Sequence, residues 1–196
     1  MIVIEGPDLA GKSTLAEALF KRVVANGHRH PMVRHFTKVQ PHFDKYWGYQ
    51  SCVARDVIMD RFHMSHVVYR HAEDVEHELT PLRYELVDAE VSRVGGIVVL
   101  LAPAPELIVK RWEALRRDEM YPLDHVLKVA THFTELAFRG LIETRTGIYK
   151  PKIDMTFTRE VEVDQMVDQM VVQIVRCWLQ RQEELDMILY SRQGAL

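Results

Sequence analysis

Four residues near the start of the chain have the types and the spacing needed to hold a phosphate. In the stretch MIVIEGPDLAGKST, the pattern G-x-x-x-x-G-K-S is formed by Gly6, Gly11, Lys12 and Ser13. Glycines permit backbone angles that a Cβ atom forbids, so successive N–H groups can turn toward an anion where a helix begins. The lysine adds a cation for the β- and γ-phosphates, and the serine hydroxyl is a ligand for Mg²⁺. We therefore predict a phosphate-binding loop.

Two charged residues end a short apolar stretch further along the chain. Residues 56–59 are typical of a buried strand, and Asp60 and Arg61 follow them directly. Parallel α/β sheets bind ligands at the carboxyl ends of their strands, so both side chains should face the predicted loop. A surface ion pair is the alternative interpretation.

Other cations and aromatic rings have two interpretations each. Four cations occur within eight residues, and they are Lys110, Arg111, Arg116 and Arg117. In a phosphoryl-transfer protein they would be candidates for a lid that brings positive charge to the moving group, whereas elsewhere they would form a solvated helix face. Between residues 42 and 55 the rings of Phe43, Tyr46, Trp47 and Tyr49 could either pack in the core or stack on a base.

Apolar runs and helical spacings predict the elements that position these residues. Strands are expected at residues 2–4, 31–38, 56–59, 97–101 and 153–158. Helices are expected after the loop, at 42–55, from Pro81, from Glu106, from Asp124 and at 164–189. Strand and helix therefore alternate, which is typical of a three-layer α/β fold with a parallel sheet flanked by helices.

Four expectations concern helix ends and faces. The first helix should end at Asn26 and Gly27, and Asp124 should cap the helix that follows it. The helix after Thr80 should turn Leu82, Leu86, Val87, Val91 and Val94 inward. The apolar stripe of the last helix should contain Met166, Met170, Ile174, Trp178, Leu185 and Leu189, for packing rather than for a cofactor.

Composition limits the range of functions. The 196 residues indicate one domain, 1–196, and 47% apolar residues supply a sizeable core. A net charge of −3 without a basic block gives no reason to expect a nucleic-acid polymer as partner. Cys52 and Cys177 are not spaced as in metal-binding or redox motifs. The histidines His28, His30 and His35 have no cysteine or carboxylate nearby at the spacing of a metal site. No membrane span or signal peptide is visible. We expect a cytoplasmic protein without a structural metal.

Four stretches together resemble the thymidylate kinases, within the P-loop nucleoside and nucleotide kinases. IVIEGPDLAGKSTLA matches the opening of that family, with the acid Asp8 inside the loop. DRFHMSHVVYR matches its Asp-Arg motif, which has a serine four residues after the arginine and an aromatic residue four further on. The weaker matches are LLAPAPELIVKR and HVLKVATHFTELA. These stretches cover about half of the chain, in the family's order.

The resemblance implies a fold, a reaction and a set of roles. The fold would be a five-stranded parallel sheet with a short lid at about residues 111–124 and an extended C-terminal helix, and the protein would form a homodimer. The reaction would move a phosphoryl group from ATP, with Mg²⁺, to a deoxynucleoside monophosphate such as dTMP. ATP would be bound by Gly6, Gly11, Lys12, Ser13, Thr14 and Arg111, and the metal by Ser13 and Asp60. Lys12, Asp60, Arg61, Arg116 and Arg117 would be catalytic. The acceptor would contact Asp8, Tyr46, Trp47, Arg61, Tyr69 and Arg70.

The sequence departs from the family at several positions. The acidic, glycine-rich stretch that follows strand two is absent, and Ala102 stands where an aspartate often ends strand four. Arg70 stands where the family has a small amide or hydroxyl residue, so the acceptor base could be thymine, guanine or a modified pyrimidine.

Two further functions compete with the monophosphate kinase. A kinase that phosphorylates a hydroxyl of a deoxynucleoside or modified base needs a general base, for which Asp60 or Asp44 would have to serve. A regulator that binds a nucleotide without turnover is the third possibility, against which the complete set of Lys12, Ser13 and Asp60 argues.

Overall fold

The structure, a computed structural model, describes residues 1–28, 31–35, 45–75, 80–115, 121–144, 147–151, 155–158 and 163–193. Its elements, in chain order, are β1 (Ile2–Glu5), α1 (Lys12–Ala25), β2 (Met32–His35), α2 (Lys45–Cys52), β3 (Val57–Asp60), α3 (His63–Ala72), α4 (Pro81–Arg93), β4 (Ile97–Leu101), α5 (Pro105–Ala114), α6 (Leu123–Arg139), β5 (Ile142–Thr144), β6 (Gly147–Tyr149), β7 (Met155–Thr158) and α7 (Val163–Gln193). Residues 36–38, 42–44 and 153–154 of the predicted elements lie outside this described part.

Five strands form one parallel sheet in the order β2-β3-β1-β4-β7. Because side chains alternate along a strand, β1 serves two cores. Met1 and Val3 pack on the side of α3, α4 and α6, while Ile2 and Ile4 pack on the side of α1 and α7. The predicted three-layer α/β fold, with its five-stranded parallel sheet and long C-terminal helix, is confirmed.

The first helix has the ends that the sequence indicates. It begins at Lys12, immediately after Gly11, whose φ of 89° is left-handed. It ends with Asn26 at the C-cap position, and Gly27 follows with a φ of 84°. Glycine tolerates these angles without steric cost, so the helix is bounded by residues suited to both turns.

The expected inner face of α4 is partly wrong. Leu82 and Leu86 are 64% and 43% exposed, whereas Tyr84 and Asp88 are buried beside Val87 and Val91. The buried face includes Asp88 because its carboxylate lies 2.5 Å from the imidazole of His63 on α3. A paired aspartate can occupy a core position that hydrophobicity alone assigns to leucine.

Two other helical details also need correction. Asp124 lies in the first turn of α6 rather than at its cap, which is Pro122 and makes no side-chain hydrogen bond. Leu189 of α7 is 46% exposed, whereas Met170, Ile174 and Trp178 are buried on the sheet. Its neighbours at positions 187, 188 and 190 are exposed as well, so the apolar residues at this end of α7 do not belong to the core.

The sequence did not predict the antiparallel hairpin of β5 and β6. Its strands have three residues each, too few to establish an alternating pattern. Within the described residues, no helix is long and apolar enough to cross a membrane.

Candidate phosphate-binding site

The loop between β1 and α1 passes close to the end of β4. A Cβ atom at Gly6, whose φ is 153°, would lie 2.6 Å from the carbonyl oxygen of Leu101, closer than such atoms can approach. Gly6 therefore lets the chain leave the sheet beside β4. Leu9 and Gly11 then take positive φ values, and the loop curves back to the start of α1.

Lys12 is the cation of this loop. Its ammonium donates a hydrogen bond of 2.5 Å to the carbonyl oxygen of Pro7, and only 6% of the residue is exposed. Burial lowers the pKa of Lys12 to about 8, and the charge of Arg61 acts in the same direction, against Asp8 and Asp60. The Lys12 ammonium contacts the loop at Pro7, and the ammonium and the N-terminus of α1 both favour an anion there.

Ser13 and Asp60 meet across the cleft. The hydroxyl of Ser13 donates to Oδ2 of Asp60 at 2.6 Å, and Nδ1 of His35 lies 2.9 Å from the same oxygen. Among the described residues, the buried Oδ1 of Asp60 has no hydrogen-bond partner. A hydroxyl and a carboxylate with an unused oxygen fit the oxygen preference of Mg²⁺, so these two residues could hold it.

Asp8, Arg61 and Tyr69 form a second polar group beside the loop. The guanidinium of Arg61 donates to Asp8, whose other oxygen accepts a 2.9 Å hydrogen bond from the Tyr69 hydroxyl. The Cζ atom of Arg61 also lies 4.9 Å from the centre of the Tyr69 ring, within cation–π range. Burial raises the pKa of Tyr69, so this hydroxyl remains a donor at neutral pH.

Most of these groups line one cleft of about 240 Å³. Its walls are formed by Asp8, Leu9, Gly11, Lys12, Ser13, Thr14, Asp60 and Arg61. The expectation that the carboxyl end of β3 faces the loop is met in this arrangement. Two cations and two carboxylates converge here, and the cations come from different elements: Lys12 begins α1, and Arg61 follows β3.

Arg111 on α5 also contacts the phosphate-binding loop. Its guanidinium donates a 2.7 Å hydrogen bond to the carbonyl oxygen of Leu9, whose φ is 66°. This contact ties α5 to the loop in one of its left-handed turns. Arg116 and Arg117, the other two arginines of the proposed lid, lie outside the described residues.

The remaining residues proposed for the acceptor have other surroundings. Arg70 forms an ion pair of 3.8 Å with Glu73 in the next turn of the chain. The hydroxyl of Tyr46 accepts a 2.7 Å hydrogen bond from Gln50, and Trp47 is 62% exposed. None of these three proposed side chains is among the described residues that line the cleft.

Sequence reasoning missed several residues around the site. Glu5, fully buried at the end of β1, accepts hydrogen bonds from α3. Tyr121 and His125 form a stacked pair with ring centres 4.5 Å apart, and each ring lies within 6.3 Å of Tyr69. Alternation along β1 puts Glu5 on the same face as Met1 and Val3, which is a signal that could have indicated its contact with α3.

Comparisons with known proteins support the fold of the chain and nothing more specific. No model of a known family and no curated protein matches the chain. Among solved structures, the chain is similar to the YorR protein from Bacillus subtilis in complex with phosphorylated GDP, with a TM-score of 0.66. The sequences are 19% identical, and the match covers 88% of this chain and 94% of that one. The chain therefore shares its fold with YorR, and the fold is a parallel sheet flanked by helices with a long C-terminal helix.

Proposed function

We propose that the chain is an ATP-dependent phosphotransferase whose acceptor is a deoxynucleoside monophosphate. The observation that carries this proposal is the cleft that Lys12, at the start of α1, and Arg61, just after β3, line together with Ser13 and Asp60. A phosphoryl group that passes between two anionic partners needs a cation on each side.

On the donor side, the loop and Lys12 would bind the β- and γ-phosphates of ATP. Mg²⁺ held by Ser13 and Asp60 would neutralise charge on those phosphates when it is bound. The ammonium of Lys12 would exchange its bond to the Pro7 carbonyl for a phosphate oxygen. Arg111 would keep the loop in shape through Leu9.

On the acceptor side, Arg61 would bind the monophosphate. Its guanidinium is held by Asp8 and Tyr69, so the incoming phosphate would compete with the Asp8 carboxylate for the same donors. The attacking oxygen of a monophosphate is already anionic, so positioning and charge neutralisation suffice without a strong base. YorR, the similar structure described above, was solved with a phosphorylated nucleotide, which agrees with this class of ligand.

A kinase that phosphorylates a hydroxyl is the second candidate, and one contact favours it. The Asp60 carboxylate lies beside the imidazole of His35, so a carboxylate and an imidazole stand together at the carboxyl ends of β2 and β3. Such a pair could accept the proton of an alcohol. The same carboxylate is, however, engaged with Ser13, where the metal is expected.

A panel of acceptors separates the candidates, with ADP release from MgATP as the readout. We expect turnover with one of dTMP, dGMP, dCMP or 5-hydroxymethyl-dUMP, and none with the corresponding deoxynucleosides. Turnover with deoxynucleosides alone would favour the hydroxyl kinase. ATP binding without any turnover would favour a regulator and contradict the proposal.

Recognition of the base depends on which of two roles Arg70 has: contact with the base or an ion pair with Glu73. A guanidinium only donates hydrogen bonds, so contact with the base would favour O4 of thymine or O6 of guanine. Its ion pair with Glu73 gives it a different partner in the unliganded chain. Arg70→Gln decides between them: an altered preference among dTMP, dGMP and dCMP supports base recognition, and an unchanged profile at equal stability contradicts it.

We also propose that the protein is a homodimer. Leu82 and Leu86 on α4 and Trp47 on α2, which packs against α4, are exposed apolar side chains of the kind that interfaces cover. Light scattering on the purified chain tests this: a mass near 46 kDa is expected from the 22.9 kDa chain, and a monomer contradicts it.

A further inference from the structure

We propose that Glu5 is the positioning residue for Arg61: from the centre of the sheet it fixes the turn that presents Arg61 to the acceptor. This inference rests on the proposed function, because it assigns Glu5 a part in acceptor binding. The side chain is fully buried and does not line the cleft. Its role would therefore be exerted through α3.

The first step concerns the start of α3. The first N–H groups of a helix lack partners within the helix and are usually capped by the residue just before it. That residue here is Phe62, which makes no side-chain cap. Glu5 supplies the cap from another element: its carboxylate oxygens accept from the N–H groups of Met64 and Ser65 at 3.1 and 3.2 Å, and from the Ser65 hydroxyl.

The second step concerns the turn between β3 and α3, which has only two residues, Arg61 and Phe62. Arg61 has a φ of 69°, a left-handed backbone conformation that residues other than glycine rarely adopt unless their surroundings impose it. Its N–H donates a 2.9 Å hydrogen bond to the carbonyl oxygen of Ile4. Two neighbouring residues of β1, Ile4 and Glu5, thus hold the two ends of this turn.

The third step links the cap to the far end of the Arg61 side chain. Ser65 and Tyr69 are four residues apart on α3 and so share one face of the helix. The Tyr69 hydroxyl and the Arg61 guanidinium both donate to Asp8 of the phosphate-binding loop. A shift of α3 at Ser65 would therefore move both side chains relative to the loop.

The chemistry of Glu5 suits positioning better than simple stabilisation. A buried carboxylate is costly to desolvate, and an apolar residue often stabilises a core equally well. Only a carboxylate offers two acceptor oxygens to the three donors of α3. A glutamine would present its N–H₂ group to at least one of these donors, so two donors would face each other and no hydrogen bond could form there.

The test compares Glu5→Gln with Ile174→Val, a core variant on the opposite face of the sheet. We expect Glu5→Gln to lower kcat/KM for the monophosphate at least tenfold while KM for ATP changes less than twofold. Ile174→Val should change neither parameter by more than twofold. Glu5→Asp, whose shorter chain withdraws the carboxylate, should not restore the loss. Equal effects of Glu5→Gln on both substrates would overturn the proposal.

Two further measurements keep the outcome decisive. If Glu5→Gln does not fold, Ser65→Ala removes one of the three bonds and should raise acceptor KM about threefold with ATP KM unchanged, as for one lost hydrogen bond. A uniform loss in Ser65→Ala would overturn the proposal. The Nε–Hε NMR signal of Arg61 in the unliganded protein tests Glu5 independently of activity. It should shift or broaden in Glu5→Gln but not in Ile174→Val, even if no acceptor is turned over and the proposed function fails.

Discussion

Both cations of the cleft already have hydrogen-bond partners within the protein. Lys12 is bonded to the Pro7 carbonyl and Arg61 to the Asp8 carboxylate. Phosphate oxygens must therefore replace existing partners rather than fill empty positions. Displacing the neutral Pro7 carbonyl from Lys12 costs less free energy than displacing the Asp8 carboxylate from Arg61, because a hydrogen bond between two charged groups is stronger.

Lys12→Ala should reduce phosphoryl transfer by roughly 100-fold or more, as expected when a donor to developing charge is removed from an active site. The fold should persist, because the substitution removes an ammonium whose pKa burial has already lowered to about 8. ADP release measures the first effect and thermal unfolding the second. Lys21→Ala is the matched control, since Lys21 lies on the same helix in an exposed ion pair with Glu17. Turnover near that of the control would contradict the loop assignment.

Arg61→Ala should weaken acceptor use and spare ATP. Loss of a charge-assisted contact to phosphate corresponds to roughly a tenfold to hundredfold rise in KM for the monophosphate. KM for ATP should change less than twofold, as it should for Arg55→Ala, a surface arginine paired with Asp186. A fall in ATP affinity with unchanged acceptor affinity would assign Arg61 to the other substrate.

At this scale, residues that belong to a local pattern could be predicted from the sequence. Gly11, Lys12 and Ser13 follow one another, and Asp60 ends an apolar run, so their meeting required only the rule for parallel strands. The contact of Glu5 with Ser65 joins residues 60 positions apart through a buried carboxylate. Alternation along β1 indicates the face on which Glu5 lies, but it does not identify Ser65 as the partner, because that depends on the tertiary fold.

Among the helices, the α3–α6 contact brings imidazole rings together beside the site. His71 and His132 have ring centres 4.4 Å apart, and Tyr69 lies near His125 in the same contact. Burial lowers the pKa of His132, and His71 adds to the effect, while Glu135 opposes it. Protonation of this ring is thus less favourable in the folded chain than in the unfolded one.

The sign of this shift predicts a loss of stability in acid. The unfolded chain takes up the His132 proton near pH 6.5, and the folded chain only at lower pH, so the free energy of unfolding should fall as pH drops below about 6.5. His132→Gln should therefore lose less Tm than wild type between pH 7.5 and 5.0. His28→Gln, in contact with Trp178 on the other face of the sheet, serves as control. Parallel curves for wild type and His132→Gln would contradict the prediction.

The sequence predicted which segments are helices better than it predicted which face of a helix is buried. The helix after Thr80 was expected and occurs as α4, yet its inner face was assigned to Leu82 and Leu86. The actual face contains Asp88, which pairs with His63. Hydrophobicity ranks single residues, whereas a buried pair is acceptable only as a unit, and its partner lies on another helix.

For the molecule as a whole, the cleft joins α1, β3 and α5 into one ligand-dependent unit. Saturating MgATP, at 100 times its Kd, should add about 2.7 kcal/mol to the free energy of unfolding. For a domain of this size the corresponding rise in Tm is roughly 5–10 °C. EDTA should remove most of this rise in Tm, and so should Ser13→Ala. Ser191→Ala, at the exposed end of α7, is the control and should retain the rise. An equal rise in EDTA would argue against a metal held by Ser13 and Asp60.

The position of β1 in the sheet also bears on how the chain is synthesised. It precedes the other four strands in the sequence, yet it pairs with β3 on one side and β4 on the other. During translation, residues 2–5 must therefore wait for residues 97–101 to emerge before both edges of β1 are paired. Until then its apolar side chains and unpaired backbone groups remain available to chaperones and to other nascent chains. The close approach of Gly6 to the Leu101 carbonyl can likewise form only after residue 101 has been synthesised.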